Sequence, residues 1–394
     1  MRTLIVGAGQ AAVQVAASLR EFGYAEPVTL VGAEPHSPYQ RPPLSKELAR
    51  GHIDVGSLSL RADDWFIARD LQIVTGEHIA YVDLDRQLAL AVSGRSFTFD
   101  NLVLATGCRS RRLTVPGAEA RRVHYLRSAS DAVSLQHGLA NANKISIIGA
   151  GYIGLEVAAS CIEMGMHVEV IDTAHRLLEH AVSETVSDHL QRIHLGRGVS
   201  FHLGQGVRRI AVDEVGNVDA VVLENGEWIA ADLVVVGVGA SPSSELALHL
   251  GLEVDGGFIV TDGRGRTSDP RVHAAGDCAI RAQQADGHRH RITSVQNAVA
   301  QAKAVAADLA GLPSSPAEVP WFWSTQYDVK LQLAGLRTGG EDIEARLSED
   351  PTRFHVVYTR DGVPVAGEFI NQPAQFLSFR RALESSLAAA GGPR

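Results

Sequence analysis

The chain has 394 residues, of which 45% are apolar and 21% charged, with a formal net charge of −9. That length exceeds what one hydrophobic core ordinarily serves, so two or three packed domains are expected, and the composition excludes a disordered chain. The acidic balance excludes a general nucleic-acid binder, which needs clustered Lys and Arg to displace counterions. Cys108, Cys161 and Cys278 lie far apart with no CxxC spacing, which excludes a disulfide framework and a dithiol redox pair. Apolar runs such as Val234 to Ala240 fall well short of the roughly 20 residues that span a bilayer, and no basic leader precedes the apolar run at Met1 to Gly9. The expectation is a cytoplasmic protein with no membrane segment.

Taken in chain order, the predicted elements repeat. Leu4 to Val6 is a strand leading into the glycine-rich turn GAGQAA at Gly7 to Ala12, and helical spacing continues to Arg20. Val28 to Val31 forms the next strand, closed by Glu34. Gln87 to Leu90 and Ser96 to Phe99 flank a Ser93-Gly94 turn, and Leu102 to Leu104 runs into Ala105-Thr106-Gly107. The layout then recurs. Ile145 to Ile148 leads into GAGYIG at Gly149 to Gly154, a helix follows to about Met164, and Val168 to Ile171 ends at Asp172. Val221 to Glu224, Asn225-Gly226 and Trp228 to Ile229 make the second hairpin, and Leu233 to Val236 enters Gly237-Val238-Gly239. Beyond the repeat, Arg271 to Ala275 is a short strand before Gly276-Asp277, and Ser294 to Leu309 has helical spacing. The Pro-rich stretch Pro313 to Pro320 reads as a linker, and Trp321 to Leu387 alternates strand-like runs with a final amphipathic helix, a third and smaller domain.

Each glycine turn sits between a strand and a helix and is followed by an acidic residue at the end of the second strand, the setting of a dinucleotide site. Glycine lets the backbone approach a pyrophosphate, and the helix N-terminus presents free N–H groups and roughly half a positive charge to it. Two such units imply two dinucleotides. Glu34 and Asp172 would accept ribose hydroxyls. A carboxylate at Asp172 repels a 2′-phosphate, so NADH is expected over NADPH, with Arg176 near enough to soften the preference. Taken alone, Lys46 reads as a solvated surface lysine and Glu156 as a carboxylate favouring its own helix N-terminus.

The segments YQRPPLSK at Tyr39 to Lys46, LATG at Leu104 to Gly107, GYIGLEVAA at Gly151 to Ala159, TSDPRVHAAGDCA at Thr267 to Ala279 and PWFWSTQYDVKLQLAGL at Pro320 to Leu336 occur in that order. With them, nearly the whole chain resembles the ferredoxin reductases that serve bacterial cytochromes P450 and ring-hydroxylating dioxygenases. The resemblance implies an α/β, glutathione-reductase-like fold with two Rossmann-type dinucleotide-binding domains and a C-terminal α+β domain. The FAD-binding domain would be discontinuous, 1–108 and 240–318, around an NADH-binding domain at 109–239, with the C-terminal domain at 319–394.

The resemblance also implies a set of site residues. FAD would meet Gly7, Gly9, Ala11 and Ala12 in the first turn, Ala33, Glu34, Arg41 and Lys46 beyond it, then Ile79, Ala105, Thr106 and Gly107. Arg127 in YLRSASDA, Gly276, Asp277 and Val295 would complete the site, with the Asp277 carboxylate on the ribityl chain. NADH would meet Gly149, Gly151, Tyr152, Ile153 and Gly154, then Asp172, Arg176, Gly237 and Gly239. Lys46 and Glu156 would pair beside the reactive edge of the flavin, where a cation favours the negative charge of the reduced ring. Two positions depart from the family pattern. Many relatives carry an acidic residue near Ala33, a role that falls here to Glu34. At Val295, dioxygenase-type members often have a Trp against the flavin and P450-serving members a Val.

The implied activity is hydride transfer from NADH to FAD, followed by single-electron transfers to a 2Fe-2S ferredoxin. An acidic ferredoxin would need a basic face, for which Arg61, Arg281, Arg289, Arg291, Lys330 and Arg337 are candidates. Trp321 and Trp323 would either line the electron route or pack in the core. GHRHR at Gly287 to Arg291 reads as a solvated loop rather than a metal site, and no metal is expected. A disulfide reductase would need a cysteine presented to the flavin, which YQRPPLSK does not offer. An NADH-sensing or quinone- or oxygen-reducing flavoprotein of the same fold is the alternative. A monomer or weak dimer is expected.

Overall fold

The computed structural model describes residues 1–282, 289–313, 318–348 and 350–389. The continuous apolar strands anticipated around the first glycine turn form a parallel sheet in the order Val272–Ala274, Asn101–Leu104, Thr3–Val6, Val28–Val31, Leu71–Val74. Such runs suit a sheet covered on both faces, which leaves no polar side; here helices cover one face and the strands Ile79–Asp83 and Leu88–Ala91 pack on the other. Thr3–Val6 is buried at every position, and the helices Gln10–Glu21 and Val295–Leu309 pack on each other beside it.

The second unit repeats the first. Its parallel sheet runs Val199–Leu203, His167–Asp172, Lys144–Ile148, Leu233–Val236, Val123–Tyr125. Each unit also carries a three-stranded antiparallel sheet. In the first it is Ile79–Asp83, Leu88–Ala91 and Ser96–Thr98; in the second, Val207–Val212, Val218–Leu223 and Trp228–Ala230. The turn glycines Gly94 and Gly226 both have φ +90°, which explains why Ser-Gly and Asn-Gly stand there. The copies differ in where the fifth strand comes from. In the first sheet Val272–Ala274 returns from beyond the second unit, whereas in the second sheet Val123–Tyr125 precedes its own glycine turn. Cys108–Ser110 and Ala240–Pro242, on either side of the second unit, pair antiparallel with each other.

The third unit is an antiparallel sheet in the order Trp321–Gln326, Val329–Gly335, Val363–Ile370, Phe354–Arg360, Asp342–Leu347, covered by the helix Pro373–Ala389. Alternation along the first strand gives it two different neighbours. Trp321 meets Phe376 of the covering helix at 5.6 Å, which assigns it a packing role, while Phe322 meets Tyr152 of the second unit at 4.5 Å. One apolar cluster runs through Leu155 and Val157 of the second unit into Leu331, Val356 and Ile370 of the third.

Among the described residues no helix is long and apolar enough to cross a membrane, and no group of three or more His, Cys, Asp or Glu side chains is placed to hold a metal. Gly287 and His288 of the GHRHR run lie outside the described residues.

Candidate functional site

The two glycine turns divide labour among their positions in the same way. Gly7 has φ +126°, and a Cβ there would stand 2.1 Å from the Ala105 carbonyl oxygen; Gly149 has φ +115°, and its Cβ would stand 2.5 Å from that of Gly237. Backbone from the neighbouring strand ends, Ala105-Thr106-Gly107 and Gly237-Val238-Gly239, thus closes on the turns and leaves no room for a side chain. Gly9 and Gly151 look the other way. A Cβ at Gly9 would meet nothing within 4 Å, and at Gly151 only the Gly237 oxygen at 4.0 Å. Each is the residue before its helix, extended and without a capping side chain, so the first helical N–H groups face open space. That is the cradle a pyrophosphate needs. Gly154 serves packing, since its Cβ would lie 2.0 Å from the Gly149 oxygen. Ala12 occupies this position in the first copy, and both it and Ala11 are buried.

The residues expected around FAD gather along the C-terminal edge of the first sheet, where ligands of open α/β sheets sit. The Glu34 carboxylate accepts from the Tyr39 hydroxyl at 2.5 Å and from Arg41 at 2.6 Å, and Arg41 also donates to the Arg127 carbonyl at 2.6 Å. Burial pushes the Glu34 carboxyl up, but Arg41 and the Tyr39 hydroxyl outweigh it and hold it below the usual carboxylate range. Glu34 is therefore an ionised anchor for Arg41, and the adjacent Ala33 is exposed. The Arg127 guanidinium donates to Asp277 at 2.9 Å and to the Cys108 carbonyl at 3.0 Å. Thr106 donates to the Ser243 carbonyl at 2.5 Å, Gly276 N–H to Gln301 at 2.7 Å, and Val295 opens its helix behind the Ser294 cap. Ile79 is buried at the start of its strand.

Lys46 and Glu156, distant in sequence, meet. Pro42–Ser45 is a short 3₁₀ turn that brings Lys46 toward the helix Tyr152–Glu163, and its ammonium lies 2.7 Å from Glu156 Oε2. The Glu156 side chain is only 5% exposed, so it needs further partners. Ser45 donates to Oε2 at 2.6 Å and Ser324 to Oε1 at 2.7 Å. The carboxylate, carried on a helix of the second unit, thus gathers Lys46 and Ser45 from the first and Ser324 from the third.

In the second unit the Asp172 carboxylate accepts from Ala150 N–H at 2.5 Å and Ala174 N–H at 2.8 Å, which holds it beside the glycine turn. Arg176 donates to the carbonyls of Glu179 at 2.6 Å and Val182 at 3.0 Å, so its guanidinium is committed to the backbone. Ile153 is exposed beside the turn. Tyr152 packs on Phe322, its buried hydroxyl has no hydrogen-bond partner among the described residues, and burial raises its pKa above the ordinary range. Burial also pushes the Cys108 and Cys161 thiols up to about 12 and raises Cys278, so none is set to act as a thiolate.

The basic residues expected to dock a partner are differently occupied. Arg289 is paired with Glu253 and Asp255, and Arg337 donates to Tyr358 near Glu368. Arg61 lies over Trp65 and Arg291 over Phe258, Arg281 is half-buried, and Lys330 is exposed. Tyr39, Ser45 and Ser324 are the polar members that the sequence did not single out, although all three lie within segments quoted for the resemblance.

Two Rossmann-type units whose nucleotide edges are joined through one buried ion pair define an oxidoreductase of the flavin and nicotinamide class. The model of the pyridine nucleotide-disulphide oxidoreductases matches residues 1–302, and that of the reductase C-terminal domain matches residues 321–390. Rhodocoxin reductase of Rhodococcus erythropolis is 39% identical, over 98% of this chain and 90% of that protein. Among solved structures, the reductase of the covalent putidaredoxin reductase–putidaredoxin complex superposes with a TM-score of 0.93 at 38% identity, covering 97% of this chain and 92% of that one. The ferredoxin reductase for the CYP199A2 system of Rhodopseudomonas palustris gives 0.91 at 37%, covering 95% and 92%. The chain belongs to the putidaredoxin reductase-like ferredoxin reductases within the pyridine nucleotide-disulphide oxidoreductase family. It is accordingly an FAD-binding, NAD(H)-dependent oxidoreductase with the fold expected from its sequence.

Proposed function

We propose that this protein oxidises NADH in the cytoplasm and passes the electrons, one at a time, to a 2Fe-2S ferredoxin that serves a cytochrome P450. FAD, when bound, accepts two electrons together as hydride and releases them singly, which reconciles a two-electron donor with a one-electron acceptor. In this reading the first unit would hold FAD through the Gly9 turn and Asp277, with Arg127 reaching over from the second unit to Asp277. The second holds NADH through the Gly151 turn and Asp172. Lys46, fixed by Glu156, sets a positive charge where the two nucleotides meet and lowers the cost of the negative charge that arrives with hydride. Val295 at the head of its helix favours a P450 system over a dioxygenase.

The observation that carries this reading is the three-unit meeting at Glu156, within a chain whose relatives are named for redoxin or ferredoxin reduction. The test is anaerobic NADH oxidation by the purified flavoprotein, with and without a 2Fe-2S ferredoxin relaying electrons to cytochrome c. Strong ferredoxin-dependent stimulation is expected. Rapid flavin reduction without stimulation by any of several ferredoxins would instead assign a quinone, oxygen or sensing role.

A further inference from the structure

Beyond Ser324, the Glu156 carboxylate is the end of a longer buried chain. Gln326 Nε2 donates to Ser324 Oγ at 3.4 Å, His194 Nε2 lies 2.9 Å from Gln326 Oε1, and the Tyr327 hydroxyl lies 3.1 Å from His194 Nδ1. Ser324, Gln326 and His194 are almost wholly buried. Ser324 and Gln326 fall on one face of the strand Trp321–Gln326 by the period of two, so polar side chains occupy positions where a sheet normally puts apolar ones. Tyr327 follows the strand at φ +55°, a left-handed conformation unfavourable for a non-glycine residue, and its ring packs 5.0 Å from His194.

The proton inventory gives the chain a direction. Ser324 has one hydroxyl proton, spent on Glu156, so it can only accept from Gln326; the Gln326 amide that donates there turns its oxygen to His194, which must carry its proton on Nε2. Nδ1 is then the acceptor for Tyr327. Burial lowers the His194 pKa, in keeping with a neutral ring. Every donor from Tyr327 onward thus points toward Glu156, and bonds aligned in this way polarise one another.

Resting on the reading that Lys46 and Glu156 flank the flavin, we propose that Ser324, Gln326 and His194 are positioning residues for reduction by NADH, a one-way hydrogen-bond chain that fixes the Glu156 carboxylate against Lys46. The C-terminal domain then shapes the step in which electrons enter as well as the one in which they leave. A plain docking role, in which these side chains merely fasten the third unit to the helix Glu184–Gly196, makes different predictions.

The test uses the FAD-loaded protein, with two readouts: the anaerobic stopped-flow rate of flavin bleaching by NADH, and the midpoint potential of the bound flavin. Ser324→Ala removes the last donor of the chain and is expected to slow reduction about tenfold and to lower the potential, because the Glu156 carboxylate, left with partners on Oε2 alone, is no longer fixed in orientation against Lys46. His194→Phe gives a smaller loss, His194→Gln, which keeps a donor at the Nε2 position, gives none, and Ser324→Ala/His194→Phe matches Ser324→Ala alone because the chain is already cut. Wild-type rate and potential in Ser324→Ala, or additive losses in the double variant, would overturn the proposal. Lys46→Met separates this from the underlying reading: if it too reduces normally, the pair is not beside the flavin at all.

Discussion

The choice between NADH and NADPH rests on the contrast between a fixed carboxylate and a committed guanidinium. Asp172 is held by two backbone N–H donors, while the Arg176 guanidinium is anchored through two of its five donors on the Glu179 and Val182 carbonyls. A 2′-phosphate brings about 1.5 negative charges at pH 7. At a separation of about 5 Å and an effective dielectric of about 20, each unit of charge costs about 3 kcal/mol, and partial exposure of Asp172 roughly halves the total to about 2.5 kcal/mol. At 1.4 kcal/mol per decade, NADH should be preferred by about 60-fold in kcat/KM. Initial rates with both nucleotides at low ionic strength measure this directly. Asp172→Asn keeps one acceptor for the Ala150 N–H and removes the charge, so its preference should shrink to within about tenfold. Equal kcat/KM for the two nucleotides in the wild type, or an unchanged ratio in Asp172→Asn, would refute the electrostatic argument.

Lys46→Met should slow flavin reduction by at least about tenfold and destabilise the fold by about 2 kcal/mol, since Glu156 keeps its two serine donors but loses its cation; denaturant unfolding and stopped-flow bleaching check the two parts. Gly154→Ala would drive a Cβ to 2.0 Å from the Gly149 oxygen, so calorimetric titration should show NADH binding weakened by more than about tenfold, and an unaltered Kd would dismiss the packing role of that glycine. Burial lowers the pKa of His124, His189, His194 and His273, so the unfolded chain binds more protons than the folded one below the ordinary histidine pKa of about 6.5. Their contribution to stability is intact above about pH 6.5 and is lost as pH falls through the depressed folded values, and Tm should drop between pH 7 and pH 5. A flat Tm across that window would show that these rings do not stay neutral.

The duplication was legible because each copy writes its own local signals: an apolar run, a glycine turn, an acidic strand end and a hairpin with glycine at its corner. Those features depend on neighbours in sequence, and the structure repeats them strand for strand. The fifth strand of the first sheet was harder, since nothing local to Val272–Ala274 says that it pairs with Asn101–Leu104 across an intervening unit; only the family likeness implied the return. Lys46 and Glu156 show the same limit, because on local grounds each has a blander reading and only the likeness brought them together. Glu34 was expected at a ribose, and its bonds to Tyr39 and Arg41 depend on how the following loop folds back over the strand end. Ser45 and Ser324 reach Glu156 from 111 and 168 residues away, and short hydroxyl side chains carry no periodic signal. The alternation of Phe322, Ser324 and Gln326 did hold a clue, since two polar residues on the inward face of a strand ask for a buried partner.

The paired strands Cys108–Ser110 and Ala240–Pro242 bear on how such a protein came to be assembled. The second unit leaves and rejoins its host at hydrogen-bonded neighbours, so along the chain residues 111–239 occupy the place of a hairpin tip. A folded insert with adjacent ends has already closed its own loop, and the host is spared most of the entropy that a flexible segment of that length would cost it. The same join should let the insert be traded for that of a relative, provided the newcomer keeps the partners offered to the other two units, Arg127 for Asp277 and Glu156 for Lys46, Ser45 and Ser324.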